Sequence, residues 1–285
     1  MQPGQATKAI IEGVTGRIIN ILPVSGGSIN NAFKVETASS AYFLKTNPAC
    51  LYLNMFETEA KGLRLLKNSS LFKVPDVVLL GNGADKFILM EWIETGQKTP
   101  VLYKKAGEYL AQMHHNSGDF FGLSHHNYIG SLPQSNKAHQ NWGEFFKAER
   151  LEPQLKIACK KNIFEPAVLK QFEKLFTKLN EIFPNEPPAL LHGDLWSGNF
   201  MATIEGSPAI FDPAVYFGHR EMDLAMTKLF GGFSPEFYQH YQETFPLEKG
   251  WQKRMDICNL YPLLVHVNLF GGSYVNQVRE VLEGF

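Results

Sequence analysis

The chain has only three cysteines, Cys50, Cys159 and Cys258, widely separated and without a CxxC pair. Neither a disulfide framework nor a thiolate metal site is expected from that spacing, and reduced thiols in a cytoplasmic protein are the simple reading. The formal net charge is −1, so no global charge attracts nucleic acid or an anionic membrane surface. Long apolar runs are missing too. The longest stretch, Tyr261 to Phe270, is interrupted by His266 and Asn268 and is too short to span a bilayer. The opening Met1-Gln2-Pro3-Gly4-Gln5 has no basic stretch leading into an apolar one, so no secretory leader is expected. There is no internal repeat and no low-complexity tract, and neither a Walker GK[ST] loop nor a full GxGxxG occurs. What remains is an ordinary globular composition over 285 residues, 44% hydrophobic and 19% charged. That is enough for one large domain or two lobes with cores of their own.

Chemistry-bearing residues concentrate in Leu190-Leu191-His192-Gly193-Asp194-Leu195-Trp196-Ser197-Gly198-Asn199-Phe200. Apolar residues at both ends read as strand ends, and glycines between them permit a tight polar loop. Asp194 and Asn199 are five positions apart, the spacing of the Asp and Asn in a kinase catalytic loop. Asp212 follows thirteen residues after Asn199 at the end of a second apolar run, Ile210-Phe211. An acid, an amide and a second acid in this order suit phosphoryl transfer, with one carboxylate accepting a proton and the other two groups holding metal. A polar loop with Asp and Asn present only as turn formers is the plainer alternative.

Upstream, Ile18–Leu22, Ala32–Glu36 and Ala41–Lys45 read as three strands of a meander. The Gly26-Gly27-Ser28 loop between the first two could cover phosphates with backbone N–H groups; a hairpin turn accounts for it equally. Lys45 ends an apolar run, where a cation needs an anionic partner. Met55 to Lys67 has helical spacing, and Glu59 falls on its apolar stripe with Leu63 and Leu66. Glu59 is therefore the expected partner of Lys45, and such a pair would hold the lysine against nucleotide phosphates. Two further strands flank Gly81–Asp85 as a hairpin. The second runs into Glu91, Trp92 and Ile93, whose backbone groups could meet an adenine edge. A simple linker with Trp92 as packing is the alternative.

Beyond residue 93 the pattern is mostly helical. The expected fold class is α+β, a bilobal protein-kinase-like fold. Residues 1–93 form a small antiparallel-sheet lobe with one key helix, for nucleotide phosphates. Residues 94–285 form a larger, mainly helical lobe carrying the catalytic loop. His114-His115 reads as a pair of helix-end histidines near the negative end of the dipole. Asn127–Gln134 reads as an ordered loop without derivable chemistry. Pro153 should kink or break a helix, and Asp223 could tie the catalytic loop's backbone in place.

The loop reads His-Gly-Asp rather than His-Arg-Asp, Asp212 is followed by Pro213 rather than Phe-Gly, and no Ala-Pro-Glu closes an activation segment. This points away from a regulated protein kinase and toward a small-molecule kinase of the aminoglycoside-phosphotransferase type. The resemblance is closer still. Leu191–Asn199, Phe211–Ala214 with Tyr216, Gly218 and His219, Asp223–Met226 with Phe230–Phe233, Phe43–Lys45, Met55–Glu59 and Asn127–Gln134 resemble the fructosamine kinase (ketosamine-3-kinase) family across essentially the whole chain. The resemblance implies ATP- and Mg²⁺-dependent phosphorylation of O3 of the sugar part of a ketosamine (ribulosamine, erythrulosamine or fructosamine). That reaction begins deglycation of free amines or of glycated lysine on proteins. Lys45 and Glu59 would anchor phosphates, Gly26, Gly27 and Ser28 would cover them, and Glu91, Trp92 and Ile93 would hold adenine. Asn199 and Asp212 would hold metal, and Asp194 would accept the hydroxyl proton. Trp196 would lie against the sugar or its amine; a core tryptophan is the rival. Some relatives carry Cys where this chain has Ser28, so redox control through that position is not expected here. A kinase acting on an aminoglycoside- or choline-like alcohol is the alternative function. A non-catalytic scaffold would have no need of Lys45, Asp194, Asn199 and Asp212 together.

Overall fold

The computed structural model describes residues 2–25, 29–48, 50–82 and 85–285. Two compact units emerge: residues 1–102 together with 198–213, and residues 103–197 together with 214–285. The boundary thus falls at residue 102 rather than 93, and a segment that begins at Gly198, within the catalytic loop, belongs to the first unit.

In chain order, α1 (Gln5–Thr15), β1 (Ile18–Pro23), β2 (Asn31–Thr37), β3 (Ala41–Pro48), α2 (Met55–Ser69), β4 (Val77–Asn82) and β5 (Asp85–Glu91) build the first unit. Its five-stranded antiparallel sheet has the order β1-β2-β3-β5-β4. Period-two alternation sorts its side chains. Phe33, Val35, Leu44, Phe87 and Leu89 cluster with Ile11 of α1. Lys45, one position on from Leu44, lies on the opposite side of β3, and α2 carries its partner there. All of Phe87–Met90 are buried, because β5 is interior to the sheet and covered on both faces. That is why it reads as a continuous apolar run.

The second unit begins within α3 (Pro100–His114) and continues through a short hairpin of β6 (Asn127–Ile129) and β7 (Leu132–Gln134). The sequence suggested only an ordered loop there. Then come α4 (Trp142–Phe145), a π-helical turn over Phe146–Leu151, α5 (Glu152–Lys160), α6 (Pro166–Ile182) and β8 (Ala189–Leu191). Pro153 has no N–H to offer the carbonyl of Glu149. The Arg150 guanidinium donates to that carbonyl instead, at 3.0 Å. Of the kink or break expected there, the chain takes the milder form, a widened turn without interruption. β9 (Phe200–Ala202) and β10 (Pro208–Ile210) form a hairpin of the first unit. β11 (Tyr216–Gly218) pairs with β8, and α7 (Glu221–Leu229), α8 (Pro235–Thr244), α9 (Trp251–Phe270) and α10 (Tyr274–Leu282) follow. α9 packs against α5, α7 and α10. Most of its residues are buried around its whole circumference, as in a central core helix. Among the described residues no helix is long and apolar enough to cross a membrane.

Candidate active site

In the first unit the β9–β10 hairpin sets the geometry. Its register pairs Phe200 with Ile210, and Phe211 N–H donates to Asn199 O across the next position. Asn199 and Asp212, thirteen residues apart in sequence, therefore flank the base of one hairpin. Asn199 is buried, and its Nδ2 faces the main-chain carbonyl of Asp212 at 3.5 Å. Asp212 adopts φ +57°, a left-handed conformation that Asp tolerates better than most residues but at some cost. Its carboxylate lies 2.7 Å from Lys45 Nζ, which also donates to Glu59 Oε1 at 2.8 Å.

Lys45 thus bridges two carboxylates. Its side chain and that of Glu59 are 9% and 8% exposed, whereas the Asp212 side chain is 52% exposed. Burial alone would lower the lysine's pKa, but Asp212 and Glu59 outweigh it and hold the ammonium well above its ordinary value. Burial, with the Asp212 charge, pushes the Glu59 carboxyl up against the pull of Lys45. One cation shared by two acids leaves the group net negative, with the excess at its exposed member, Asp212. The donors offered there are a carboxylate and an amide oxygen. Such hard oxygen ligands fit Mg²⁺, which takes one or two protein oxygens and fills its remaining positions from phosphates and water.

At the end of β5, the Glu91 N–H is already committed to Asp76 O at 2.8 Å, and the Glu91 carboxylate pairs with Lys73. The Trp92 ring stands 6.2 Å from Phe43, with Lys34 Nζ 4.9 Å from its centroid. Ile93 is half-buried beyond the strand. Gly26, Gly27 and Ser28 lie outside the described residues.

In the second unit the catalytic loop follows β8. His192 is fully buried; its carbonyl accepts Ala214 N–H at 2.9 Å, and its Nδ1 accepts Asp194 N–H at 3.3 Å. Gly193 has φ +82°, and a Cβ there would sit 2.1 Å from Ala214 O, so conformation and space both require glycine. Asp194 is half-buried, as is Trp196. Trp196 N–H donates to Asp194 O at 3.1 Å, and its ring meets Phe230 edge-on rather than entering the core.

Asp223 does tie the loop: its two carboxylate oxygens accept His192 N–H at 2.8 Å and Gly193 N–H at 2.9 Å. His114 supports it, with Nε2 at 3.3 Å from Asp223 Oδ2 and Nδ1 at 2.8 Å from the Tyr241 hydroxyl. Burial lowers the His114 pKa, so the neutral ring donates from Nε2 to Asp223 and accepts from Tyr241. Sequence reasoning placed His114 at a helix end as a dipole partner and missed this role. The available signal was its position four residues beyond Leu110, in the row that also holds Leu102 and Ala106, all buried. The β6–β7 hairpin props the other side. Asn127 Nδ2 donates to Val215 O at 2.9 Å, and Gln134 Nε2 to Ala214 O at 3.1 Å.

The model of the fructosamine kinase family matches residues 4–285. The chain belongs to that family. A protein of Enterococcus faecium named "probable ketoamine kinase" is 42% identical over 270 residues, covering 93% of this chain and 95% of the relative. A chloroplastic protein-ribulosamine 3-kinase of Oryza sativa subsp. japonica is 35% identical over 282 residues, covering 97% of this chain and 81% of the relative. A crystal structure from Thermobifida fusca YX-ER1, named for fructosamine-3-kinase, superposes with a TM-score of 0.88 at 33% identity, covering 99% and 100% of the two chains. A thermostable mutant of the aminoglycoside phosphotransferase APH(4)-Ia aligns with a TM-score of 0.67 at 14% identity, covering 98% of each chain. The fold of this family member is therefore the α+β, protein-kinase-like fold of aminoglycoside phosphotransferases.

Proposed function

We propose that the protein is an ATP-dependent kinase that phosphorylates O3 of the sugar moiety of ketosamines, the step that starts deglycation of glycated amines. The observation that carries this reading is Lys45 held between buried Glu59 and exposed Asp212, in a family member whose catalytic loop presents Asp194 and Trp196. Lys45 meets the nucleotide phosphates as a fixed positive charge, and Glu91 to Ile93 supply backbone groups to adenine. Residues 1–102 with 198–213 thus handle nucleotide and metal, and the remainder handles the acceptor. Asn199 and Asp212 hold Mg²⁺, which neutralises phosphate charge when bound. Asp194 orients the sugar hydroxyl and accepts its proton. Asp223 keeps the loop in place while this happens, and Trp196 offers its face to the sugar or its amine. The protein acts in the cytoplasm on free or protein-bound adducts. The kinase of an aminoglycoside- or choline-like alcohol is the reading this one displaces.

The test is a panel of acceptors with purified protein, ATP and Mg²⁺: ribulose-, erythrulose- and fructose-lysine, an aminoglycoside and choline. Ribulose-lysine is the first to try, because the rice relative is named for ribulosamines. Acceptor-dependent ADP release with a ketosamine, and its loss with EDTA, is the expected result. Turnover of choline or the aminoglycoside alone would remove the ketosamine assignment.

A further inference from the structure

A row of aromatic rings leads away from the catalytic loop of the second unit. The Trp196 ring stands 5.9 Å from Phe230 at an interplanar angle of 72°. Phe230 is 5.0 Å from His266, and His266 is 5.6 Å from Phe270 and 4.9 Å from Tyr274. The loop, the end of α7, the last turn of α9 and the start of α10 each contribute. These rings are not core. Phe230 and Phe270 are 37% and 54% exposed, and Trp196, His266 and Tyr274 are half-buried. A contiguous exposed aromatic surface marks an interaction site more often than a scattered exposed residue does.

The chain turns sharply after each exposed phenylalanine. Phe230 precedes Gly231 and Gly232, and Phe270 precedes Gly271 and Gly272, all four with positive φ. At Gly231, Gly271 and Gly272 an added Cβ would meet nothing within 4 Å. Backbone conformation rather than crowding therefore accounts for these glycines, and the turns end their helices with the rings still on the surface.

His266 gives the row an imidazole nitrogen that can accept a hydrogen bond. Its Nδ1 lies 2.8 Å from Pro262 O, and a carbonyl can only accept, so Nδ1 carries the hydrogen. Burial lowers the ring's pKa, which keeps it neutral and makes Nε2 an acceptor. Aromatic faces attract a cation through the ring quadrupole, and a neutral imidazole accepts a hydrogen bond without demanding a full ion pair. A group that is cationic, donates hydrogen bonds and carries an apolar arm matches both. The nitrogen of a ketosamine, protonated between the sugar and an alkyl chain, is such a group.

We propose that Trp196, Phe230 and His266, with Phe270 and Tyr274 beyond them, form the subsite for the secondary ammonium and alkyl arm of the acceptor, the ammonium donating to His266 Nε2. The inference rests on the ketosamine reading above and deepens it: the enzyme selects its substrate by the charged nitrogen, not by the sugar alone.

The experiment compares a ribulose-alkylamine with its N-acetylated, uncharged counterpart in wild-type protein, H266F, H266Q and F230L. Wild type should prefer the charged amine by roughly tenfold or more in kcat/KM. H266F, which keeps a ring but removes the acceptor, and F230L should each reduce that preference to within about threefold, through KM for the acceptor and with KM for ATP unchanged. H266Q, which restores an acceptor, should recover part of it. A merely structural role predicts equal losses on both substrates, and that outcome overturns the subsite. N-methylbutylammonium, a cation without sugar, separates the two ideas when its binding is followed by tryptophan fluorescence. Saturable binding by wild type that weakens in H266F, without ketosamine turnover, supports the subsite and sinks the ketosamine reading. Absence of saturable cation binding in wild type, whatever the turnover, overturns the subsite.

Discussion

Replacing Asp223 by Asn changes one oxygen to NH₂ and no volume, so it isolates the carboxylate's grip on the catalytic loop. The side chain is 1% exposed and accepts from His192 N–H, Gly193 N–H and His114. Asn has one acceptor oxygen. Placed at the Oδ2 position it keeps His192 and His114 and turns its NH₂ toward Gly193 N–H. Placed at Oδ1 it keeps Gly193 and loses the other two. The first arrangement is the cheaper. It leaves one buried N–H facing a donor, about 1–3 kcal/mol, and reduces two charge-assisted hydrogen bonds to neutral ones, about 1 kcal/mol more. A loss of about 3 kcal/mol is a large share of a stability typically near 5–15 kcal/mol. Gly193 cannot yield easily, because Ala214 O closes the space beside it, so strain passes to Asp194. A displacement on the order of 1 Å at a reacting group costs about 10²-fold. Urea denaturation should show the stability loss with the m-value unchanged. Steady-state kinetics should show kcat down by about 10²-fold with KM for ATP nearly constant, since Lys45 and Glu59 belong to the other unit. Stability within about 0.5 kcal/mol of wild type together with kcat within twofold would refute the argument.

Lys45→Met strands the buried Glu59 carboxylate beside Asp212 and should cost about 3–5 kcal/mol in urea denaturation. The double variant K45M/E59M should regain most of that stability while staying inactive; a double variant no more stable than the single one contradicts the pairing. Asp194→Asn should lower turnover by about 10²–10⁴-fold and leave ATP affinity, measured by calorimetry, within about threefold; near-normal rates would remove Asp194 as the base. Burial lowers the His219 pKa to about 4. The unfolded chain, with its histidine near 6.5, therefore takes up the proton first as pH falls. Stability from this group is complete above 6.5 and lost progressively down to about 4, amounting to about 3 kcal/mol. Urea midpoints at pH 7 and pH 4.5 should show the loss, and His219→Asn should make the pH dependence shallower; an unchanged slope in that variant assigns the loss elsewhere.

The local logic of the site was legible in sequence because it rests on short-range geometry. The apolar run before Lys45 put its stem among buried residues, where a cation needs a partner, and a 3.6-residue period put Glu59 on the buried stripe of α2. The spacing from Asp194 to Asn199 belongs to one loop. The meander of β1 to β3, the β4–β5 hairpin and the helical remainder followed from the same periodicities, and Pro153 marked the irregular turn. Tertiary structure decided what depends on residues far apart. Whether Lys45 would meet one carboxylate or two turned on the β9–β10 hairpin, which returns Asp212 to the first unit from thirteen residues beyond Asn199. His114 does end its helix as expected, but it reached Asp223 across 109 positions; nothing in its own helix says that a buried carboxylate waits there, so that partner was not readable. The Asn127–Gln134 segment became a prop of the catalytic loop only through acceptors 88 and 80 residues away, at Val215 and Ala214. Trp196 read as a substrate contact or a core residue with equal ease, because sequence does not say which side of a ring is wet. The structure leaves it half-buried at the head of an exposed aromatic row, since the two Gly-Gly turns end their helices before those rings can be covered.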